Sequence, residues 1–252
     1  MKFGAQFYSI RNHTQTPEEL YNSFKEMKKI GYSIAQMSGI CKMDPYVLKS
    51  YIEEFDLPVT CTHSPFDRIL NDTDELIREH KIYGCDTIGL GMMPKQYFDT
   101  AEGIRAFIKD MAEPIKKMNA EGITFAYHNH AKEFEDLGGV NAMDILIEEG
   151  GNINFILDTY WVRRGGADNI AMIKRIGADR MKNLHLKDLS KEPDGPECPL
   201  GLGVIDFKPI VSLCNELGIP HALVEQDNAA ISEDSYGQMK ISYDNMHHLF
   251  EE

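Results

Sequence analysis

Several short apolar runs of this sequence end in a side chain that can bind a metal ion or move a proton. Asp158 follows NINFIL and Glu225 follows HALV, so both carboxylates are expected to be buried. Burying them without a cation costs several kcal/mol, and neutral imidazoles are the commonest metal ligands. His128 and His185 occupy two further runs of the same kind. We therefore expect these four side chains to share one divalent metal ion.

An electrostatic network without a metal is the alternative for Asp158, which can pair with Arg163 or Lys187. We do not expect it to cap a helix, because the following segment TYW at 159–161 carries none of the usual signals of a helix start. Mixed nitrogen and oxygen ligands suit Mn²⁺, Zn²⁺, Co²⁺ or Fe²⁺, whereas Mg²⁺ prefers oxygen. We expect Mn²⁺ first, with Zn²⁺, Co²⁺, Fe²⁺ and Mg²⁺ as alternatives.

Four side chains are candidates for catalytic proton transfer and charge stabilisation. Glu225 is the carboxylate at the metal, and His63 and His130 are candidate proton shuttles. Lys187 would place a cation near a developing oxyanion, or would simply pair with a neighbouring carboxylate such as Asp188.

Glu133 and three aromatic side chains are candidates for substrate binding. Glu133 follows His128 by five residues, so it can replace His128 as a ligand or accept a hydrogen bond from a substrate hydroxyl. Trp161, the only tryptophan, can stack on the apolar face of a sugar ring, with Tyr8 and Phe66 completing the wall. Packing in the protein core is the alternative explanation for the tryptophan.

Eight short apolar or β-branched runs recur along the chain and alternate with stretches of helical period. These predicted strands are KFGAQFYS (2–9), SIAQM (33–37), PVTCTH (58–63), DTIGLG (86–91), ITFAYH (123–128), INFILD (153–158), MKNLHL (181–186) and HALVEQ (221–226). Strands that are each followed by a helix must pair in parallel, and eight of them can close into a (β/α)8 TIM barrel. The working face of such a barrel is at the carboxyl ends of its strands, where the polar residues above would meet.

The helical stretches carry start and stop signals. The first, TPEELYNSFKEMKKIG, has Thr16 as its predicted N-cap, Pro17 at the first helical position and Gly31 at its end. The others are predicted at 44–55, 72–84, 101–122, 141–151, 169–177, 206–218 and 238–252. Nothing divides the chain, so we predict one α/β domain over residues 1–252. An open doubly wound sheet is the alternative, but no G-x-G-x-x-G follows the first strand.

Composition and charge argue against several classes of protein. The 252 residues include 26 Lys and Arg against 40 Asp and Glu, a formal net charge of −14, so a nucleic-acid partner is not expected. No run approaches the ~18 apolar residues of a membrane span, and the first residues do not resemble a secretory signal. Five scattered cysteines without a C-x-x-C pair are typical of reduced thiols, so we predict a cytoplasmic protein.

Segments spread over nearly the whole chain resemble one enzyme superfamily. They are GAQFYSIR, THSPF, GITFAYHNHAKEFED, DTYW, LHLKD, GLGVIDFKPI and ALVEQD. Together they are similar to the sugar phosphate isomerase/epimerase superfamily of xylose isomerase-like barrels, in the branch with the YHNH and DTYW motifs. In that superfamily one residue from each of strands five to eight holds a divalent metal, which by position implies His128, Asp158, His185 and Glu225 here.

The resemblance implies metal-dependent isomerisation or epimerisation of a sugar or keto-sugar through a metal-stabilised enediolate. The alternative is a lyase or dehydratase that performs β-elimination on a 3-keto-glycoside or an inosose-type cyclitol. Ketose 3-epimerases of the superfamily use a strand-five Glu and the strand-eight Glu for proton transfer, whereas strand five ends in His128 here. The usual G-E-G before the VIDF segment is G-L-G. A symmetric two-carboxylate epimerase is therefore not expected.

The sequence gives fewer indications of the substrate and of partner proteins. We expect a small-molecule carbohydrate substrate, and the acidic loops after strands seven and eight favour an unphosphorylated one, although Lys187 and Lys191 argue the other way. An endonuclease of the apurinic-site type uses a related barrel, but it would need a basic groove. A non-catalytic sugar-binding subunit is a further alternative, and both a homo-oligomer and a partner subunit stay open.

Overall fold

The computed structural model describes residues 1–192 and 195–250, and its eight parallel strands close into a barrel. The strands are β1 (Lys2–Gln6), β2 (Ile34–Met37), β3 (Val59–His63), β4 (Thr87–Leu90), β5 (Thr124–His128), β6 (Asn154–Asp158), β7 (Met181–Leu186) and β8 (His221–Val224). Each strand pairs in parallel with its neighbours in the chain, and β8 closes the barrel on β1. The predicted (β/α)8 barrel is confirmed.

Helices connect the strands and cover the outside of the barrel. They are α1 (Pro17–Ile30), α2 (Pro45–Phe55), α3 (Phe66–Asn71), α4 (Thr73–Tyr83), α5 (Lys95–Phe98), α6 (Ala101–Ala120), α7 (Ala142–Glu149), α8 (Thr159–Arg164), α9 (Asn169–Ile176), α10 (Phe207–Glu216) and α11 (Ser235–Met246). The sequence did not predict the short helices α3, α5 and α8. The last predicted helix runs to residue 252, whereas α11 ends at Met246, and Glu251 and Glu252 lie outside the described residues.

The first helix shows how local sequence sets these boundaries. The Thr16 hydroxyl accepts a hydrogen bond from the Glu19 amide at 3.2 Å, and the Glu19 carboxylate accepts one from the Thr16 amide at 3.0 Å. This reciprocal capping box satisfies two amides that the helix itself leaves unpaired. Gly31, with a φ of 123°, ends the helix. The predicted start and end of α1 are thus confirmed.

Two predicted strands run two or three residues past the carboxyl ends of the observed ones, because side chains replace the strand partners there. The first was predicted over 2–9, but the Gln6 side-chain oxygen accepts a hydrogen bond from the Tyr8 amide at 3.1 Å and the chain turns into a 3-10 helix over Phe7–His13. The eighth was predicted over 221–226, but the Gln226 amide donates to the Ser9 hydroxyl at 2.9 Å. Both turns lie at the carboxyl ends of the strands.

The main apolar core lies between the strands and the surrounding helices, and a small second cluster fills the barrel interior. The inner cluster consists of Cys61, Ala126 and Ile156. A Cβ atom on Gly4 of β1 would lie 2.4 Å from Ile34, so the barrel wall has no room for a side chain there. The apolar filling leaves the carboxyl ends of the strands to polar side chains. Within the described part of the chain, no helix is long and apolar enough to cross a membrane.

Candidate metal centre

Four buried side chains converge at the carboxyl end of the barrel. His128 and Asp158 are the last residues of β5 and β6, His185 is the last but one of β7, and Glu225 directly follows β8. One potential ligand atom from each lies within 4.8 Å of the other three. These are the four residues predicted from the sequence as ligands, and parallel strands bring them together because their carboxyl ends meet at one face.

The distances between these atoms fit a shared cation. Glu225 Oε2 lies 2.8 Å from His185 Nδ1 and 3.5 Å from His128 Nε2. Asp158 Oδ2 lies 3.4 Å from His128 Nε2 and 4.0 Å from His185 Nδ1. Ligand atoms about 2.1 Å from a first-row divalent ion are separated by about 3.0 to 3.4 Å. Small movements of the side chains would thus allow them to hold one ion.

Two of the four potential ligand atoms are otherwise unsatisfied. His128 Nε2 and Asp158 Oδ2 are buried, and neither has a hydrogen-bond partner among the residues that the structure describes. A buried polar atom left without a partner costs about 1 to 3 kcal/mol. A bound cation would remove this penalty for both atoms at once, so the side chains present fit a divalent metal ion.

Hydrogen bonds to the second ring nitrogen orient both imidazoles. His128 Nδ1 donates to the Gly91 carbonyl oxygen at 3.2 Å, which directs Nε2 toward the carboxylates. His185 Nε2 donates to Gln36 Oε1 at 2.7 Å, which directs Nδ1 toward the same place. Metal-binding histidines are typically held in this way. Gln36 was not predicted as a site residue; its only signal in the sequence is a polar side chain inside the apolar run SIAQM.

The expectation that Asp158 caps no helix is wrong. Its Oδ1 accepts a hydrogen bond from the Trp161 amide at 2.9 Å and caps α8, a six-residue helix without sequence signals. The other oxygen, Oδ2, faces His128 and His185. Asp158 therefore caps α8 with one oxygen and presents the other to the histidines of the cluster. The predicted alternative, an ion pair with Arg163, is not found between the described side chains.

The charges in the cluster depend strongly on each other. Burial opposes a charge on His128, but the nearby carboxylates of Asp158 and Glu225 outweigh burial and raise its pKa to about 10. Burial also opposes a charge on Glu225, but Lys187 and His185 hold its pKa well below the ordinary value. Without a metal, a proton on His128 balances the carboxylates. A metal ion would take the place of that proton.

Lys187 is a buried cation with partners that the sequence did not predict. Its Nζ lies 2.6 Å from Asp227 Oδ2, 3.1 Å from Glu197 Oε1 and 3.9 Å from Glu225 Oε2. Burial disfavours the charge, but Glu225, Asp158 and Asp227 hold the pKa of Lys187 well above its ordinary value. Lys187 can therefore stabilise negative charge, but it is unsuited to act as a base.

Asp188, the predicted alternative partner of Lys187, instead organises the loop after β7. Its carboxylate accepts hydrogen bonds at 2.8 to 3.2 Å from four backbone amides, those of Leu189, Gly201, Gly203 and Ile205. A Cβ atom on Gly203 would lie 2.3 Å from Asp188 Oδ1, so only glycine allows this approach. The pairing of Lys187 with Asp188 is therefore wrong.

His63 lies beside the four-residue cluster, at the end of β3. Its ring centre is 5.2 Å from that of His128 and 5.7 Å from that of His185, and its Nδ1 lies 3.4 Å from the Ser38 hydroxyl. Burial and the neighbouring His128 hold the pKa of His63 well below its ordinary value, so the ring is neutral. A Cβ atom on Gly91 would lie 2.9 Å from the ring, so glycine makes room for it. Its Nε2 is buried and has no hydrogen-bond partner in the described ranges.

His130 and Trp161 form a contact next to His128. The ring centres of His130 and His128 are 4.9 Å apart, and those of His130 and Trp161 are 5.1 Å apart. Burial, followed by the charge on His128, lowers the pKa of His130 to about 3. Lys187 Nζ lies 5.1 Å from the centre of the Trp161 ring. The tryptophan therefore lies at the site, where it already packs against a histidine and a lysine.

Glu133 lies outside the ligand cluster, which contains His128 instead, and its contact with a substrate stays a prediction. It is fully buried; Tyr127 donates its hydroxyl proton to Oε1 at 2.5 Å, and the His130 amide donates to Oε2 at 2.9 Å. Both oxygens therefore hold the loop after β5, and in this structure neither replaces His128. A sequence gives no direct sign of such internal hydrogen bonds.

The remaining two predicted wall residues differ in position. The Phe66 ring packs against Tyr97 and Phe107, with ring centres 5.7 and 6.1 Å apart, and is half-buried, so its contact with a substrate stays a prediction. Tyr8 follows β1, is half-buried, and carries the Arg11 guanidinium 4.1 Å from its ring centre. Tyr8 is therefore still a candidate for contact with a substrate.

Comparison with known proteins assigns the chain to a family. The chain belongs to the xylose isomerase-like TIM barrel family, whose model matches residues 24–238. The predicted superfamily is thus confirmed. A comparison with curated protein sequences gives no match.

Solved structures of similar proteins share the whole barrel. A sugar phosphate isomerase/epimerase from Parabacteroides distasonis ATCC 8503 is 20% identical, with a TM-score of 0.80 and 97% of each chain covered. An L-ribulose 3-epimerase is 17% identical, with a TM-score of 0.77 over 99% of this chain and 94% of that one. The IolI protein, with a zinc atom bound, is 14% identical, with a TM-score of 0.76 over 99% of this chain and 98% of that one. At these identities the similarity establishes the fold.

Proposed function

We propose that this chain is a divalent-metal-dependent isomerase or epimerase that acts on a sugar or keto-sugar. The observation that carries the proposal is the convergence of four buried ligand atoms from neighbouring strands, two of them without another partner among the described residues. The similarity to an L-ribulose 3-epimerase and to a zinc-binding protein supports it. The metal ligands would be His128, Asp158, His185 and Glu225.

A divalent cation at this site would polarise the carbonyl oxygen of a sugar and make the proton on the adjacent carbon more acidic. The chain itself would supply the groups that move this proton. Glu225 and the neutral ring of His63 approach from β8 and β3, which do not adjoin in the barrel. One can remove the proton while the other returns it to a different carbon or face. His130 is a further candidate, and burial lowers its pKa, to about 3, in the same direction as that of His63.

Lys187 would contribute charge rather than proton transfer. Asp227 and Glu197 fix its ammonium group 3.9 Å from Glu225 Oε2, in a position that is almost fully buried. A fixed charge in a site of low dielectric stabilises a developing oxyanion more than the same charge in water. We propose this role for Lys187, with its two carboxylate partners as positioning groups.

Hydrogen exchange at carbon tests the proposal directly. The metal-stripped chain is loaded with Mn²⁺ and incubated in D₂O with a panel of ketopentoses and ketohexoses, and deuterium uptake is followed by NMR. We expect uptake at the carbon next to the carbonyl, lost in the metal-stripped chain and in Glu225→Gln. The matched control is Glu113→Gln, which makes the same substitution at a side chain that is 68% exposed. Metal binding without exchange on any sugar would favour a non-catalytic sugar-binding subunit.

A lyase is the second candidate, and one observation favours it. Strand five places an imidazole, His128, opposite Glu225, and the nearby Glu133 uses both oxygens in its own loop. With His128 as a metal ligand, Glu225 and the imidazole of His63 are the two groups left for proton transfer. They are unequal as acid and base, as an elimination requires when one group removes a proton and another protonates the leaving group. Incubation with a 3-keto-glycoside would release the free aglycone and an unsaturated sugar if the chain is a lyase.

A further inference from the structure

The half of the barrel mouth that lies across from the ligand cluster carries two buried glutamines. The four ligands come from β5 to β8, whereas Gln6 ends β1 and Gln36 lies in β2. Gln6 and Gln36 are paired in register on neighbouring strands, and both are fully buried. Gln36 reaches His185 of β7 at 2.7 Å, so its side chain crosses the barrel interior. Neighbours in register point to the same face of a sheet, so Gln6 also points inward.

The two amide groups use their oxygens but not their nitrogens. Gln36 Oε1 accepts the hydrogen bond from His185, and Gln6 Oε1 accepts one from the Tyr8 amide. The Nε2 atoms of both glutamines are buried and have no hydrogen-bond partner among residues 1–192 and 195–250. The Tyr8 backbone amide fixes the orientation of the Gln6 amide group, because only the side-chain oxygen can accept there. The Gln36 amide group has the same orientation when His185 binds a metal through Nδ1, because His185 Nε2 then carries the proton. Two neighbouring donor groups are therefore held in place without an acceptor.

Unpaired donors next to a proposed metal site indicate a ligand oxygen. An unsatisfied buried donor costs about 1 to 3 kcal/mol, which an acceptor oxygen from a bound molecule would recover. Amide groups carry no net charge, so they suit a hydroxyl or carbonyl oxygen, whereas phosphate sites generally use Arg, Lys or helix N-termini. Gln36 also contacts a proposed metal ligand directly, which places this donor beside the metal site.

We propose that Gln6 and Gln36 form a subsite that donates hydrogen bonds to an oxygen of an uncharged polyhydroxylated substrate. The proposal rests on the proposed function, because it concerns a substrate that also contacts the metal. It assigns the substrate class as an unphosphorylated sugar or polyol. It also predicts that molecules too short to reach beyond the metal do not use the subsite.

The test measures the affinity of two probes for the full-length chain loaded with Co²⁺. Ribitol has five hydroxyl groups and can contact both the metal and the subsite, whereas ethylene glycol has only two. Binding of each probe is followed by the change in the visible absorption of Co²⁺. We expect Gln6→Leu to weaken ribitol binding by about 3- to 10-fold, the equivalent of one hydrogen bond, and to leave ethylene glycol binding unchanged.

Two further variants make the result interpretable. Gln6→Met keeps the length of the side chain but also lacks the amide donor, so it should weaken ribitol binding as much as Gln6→Leu does. Agreement between the two variants would show that the loss of affinity is not caused by misfolding of one of them. Glu113→Gln, whose side chain is 68% exposed, is the second variant and should leave ribitol affinity unchanged. Gln36 is not the primary variant, because its loss would also disturb His185.

The outcomes separate the subsite from the proposed function. Unchanged ribitol affinity in Gln6→Leu, equal losses for both probes, or no ribitol binding by the Co²⁺-loaded wild type would each overturn the subsite. Failure of the wild type to bind Co²⁺, or to exchange a carbon-bound proton of any ketose, would instead count against the proposed function. The two failures are therefore distinguishable in one set of samples.

Discussion

Loading the four-residue cluster with a divalent ion should stabilise the folded chain. The unfolded chain cannot hold His128, Asp158, His185 and Glu225 within 4.8 Å of each other, so the ion binds the folded state selectively. At a free ion concentration 100 times Kd, this linkage contributes about 2.7 kcal/mol. For a chain of roughly this size each kcal/mol raises Tm by about 2 to 4 °C, so the expected increase is about 5 to 11 °C.

Asp158→Asn tests whether this increase arises at the cluster. Asparagine is as good a helix N-cap as aspartate, so its side-chain oxygen can still accept the Trp161 amide and cap α8. The variant loses the charge that Oδ2 presents to His128, without losing the cap. We expect a lower Tm when the variant is metal-free, because the protonated His128 loses a neighbouring charge. Relative to that metal-free value, the variant should lose most of the increase on adding Mn²⁺.

Differential scanning calorimetry of the chelator-treated chain, with and without added Mn²⁺, measures both effects. The exposed variant Glu113→Gln should show the full increase, since its side chain is 68% exposed and lies on a helix. Equal melting temperatures for the metal-free and Mn²⁺-loaded wild type would refute the metal site. A full increase in Asp158→Asn would show that the ion binds elsewhere.

Three further predictions follow from other contacts. Burial lowers the pKa of His80 to about 4, whereas its ordinary value is about 6.5. As the pH falls, the unfolded chain therefore takes up a proton before the folded chain does. The contribution of His80 to the free energy of unfolding is complete above about pH 6.5 and falls by about 3 kcal/mol as the pH is lowered to 4. In urea unfolding, the free energy of unfolding of His80→Gln should decrease less over this pH range than that of the wild type. An equal decrease in both would show that His80 is not the group responsible. Gln36→Leu, which removes the acceptor for His185 Nε2, should weaken Mn²⁺ binding by about 10- to 100-fold in a calorimetric titration, and an unchanged Kd would show that His185 needs no such support. Lys187→Met should retain Mn²⁺ binding but reduce hydrogen exchange on a ketose by at least about 100-fold, whereas retained exchange would remove Lys187 from the mechanism.

The sequence predicted the barrel because strand and helix signals are local. Runs such as INFILD and MKNLHL are apolar and short, and helix starts such as Thr16 carry the capping pattern that forms in the structure. Parallel pairing then follows from the alternation of the two element types. Because the carboxyl ends of parallel strands meet at one face, the four polar residues at these ends were expected to lie close together. The ligand cluster could therefore be predicted without a structure.

What the sequence could not predict are the partners that come from loops. Lys187 is paired with Asp227 and Glu197, which lie 40 and 10 positions away in the chain and approach only after the loops after β7 and β8 fold. Glu133 looked like a free carboxylate, but short-range hydrogen bonds to Tyr127 and the His130 amide use both oxygens. Periodicity reports which face a residue occupies, and it carries no information on such specific contacts.

The replacement of a strand-five carboxylate by His128 has a consequence for charge. A divalent ion with two neutral imidazoles, Asp158 and Glu225 forms a cluster without net charge, which lowers the cost of burying it in the barrel. Lys187 is likewise balanced by the carboxylates of Asp227 and Glu197. Neutral amide donors at Gln6 and Gln36 complete the other side. Charge, hydrogen-bond donors and ligand set thus favour the same kind of substrate, an uncharged molecule rich in hydroxyl groups.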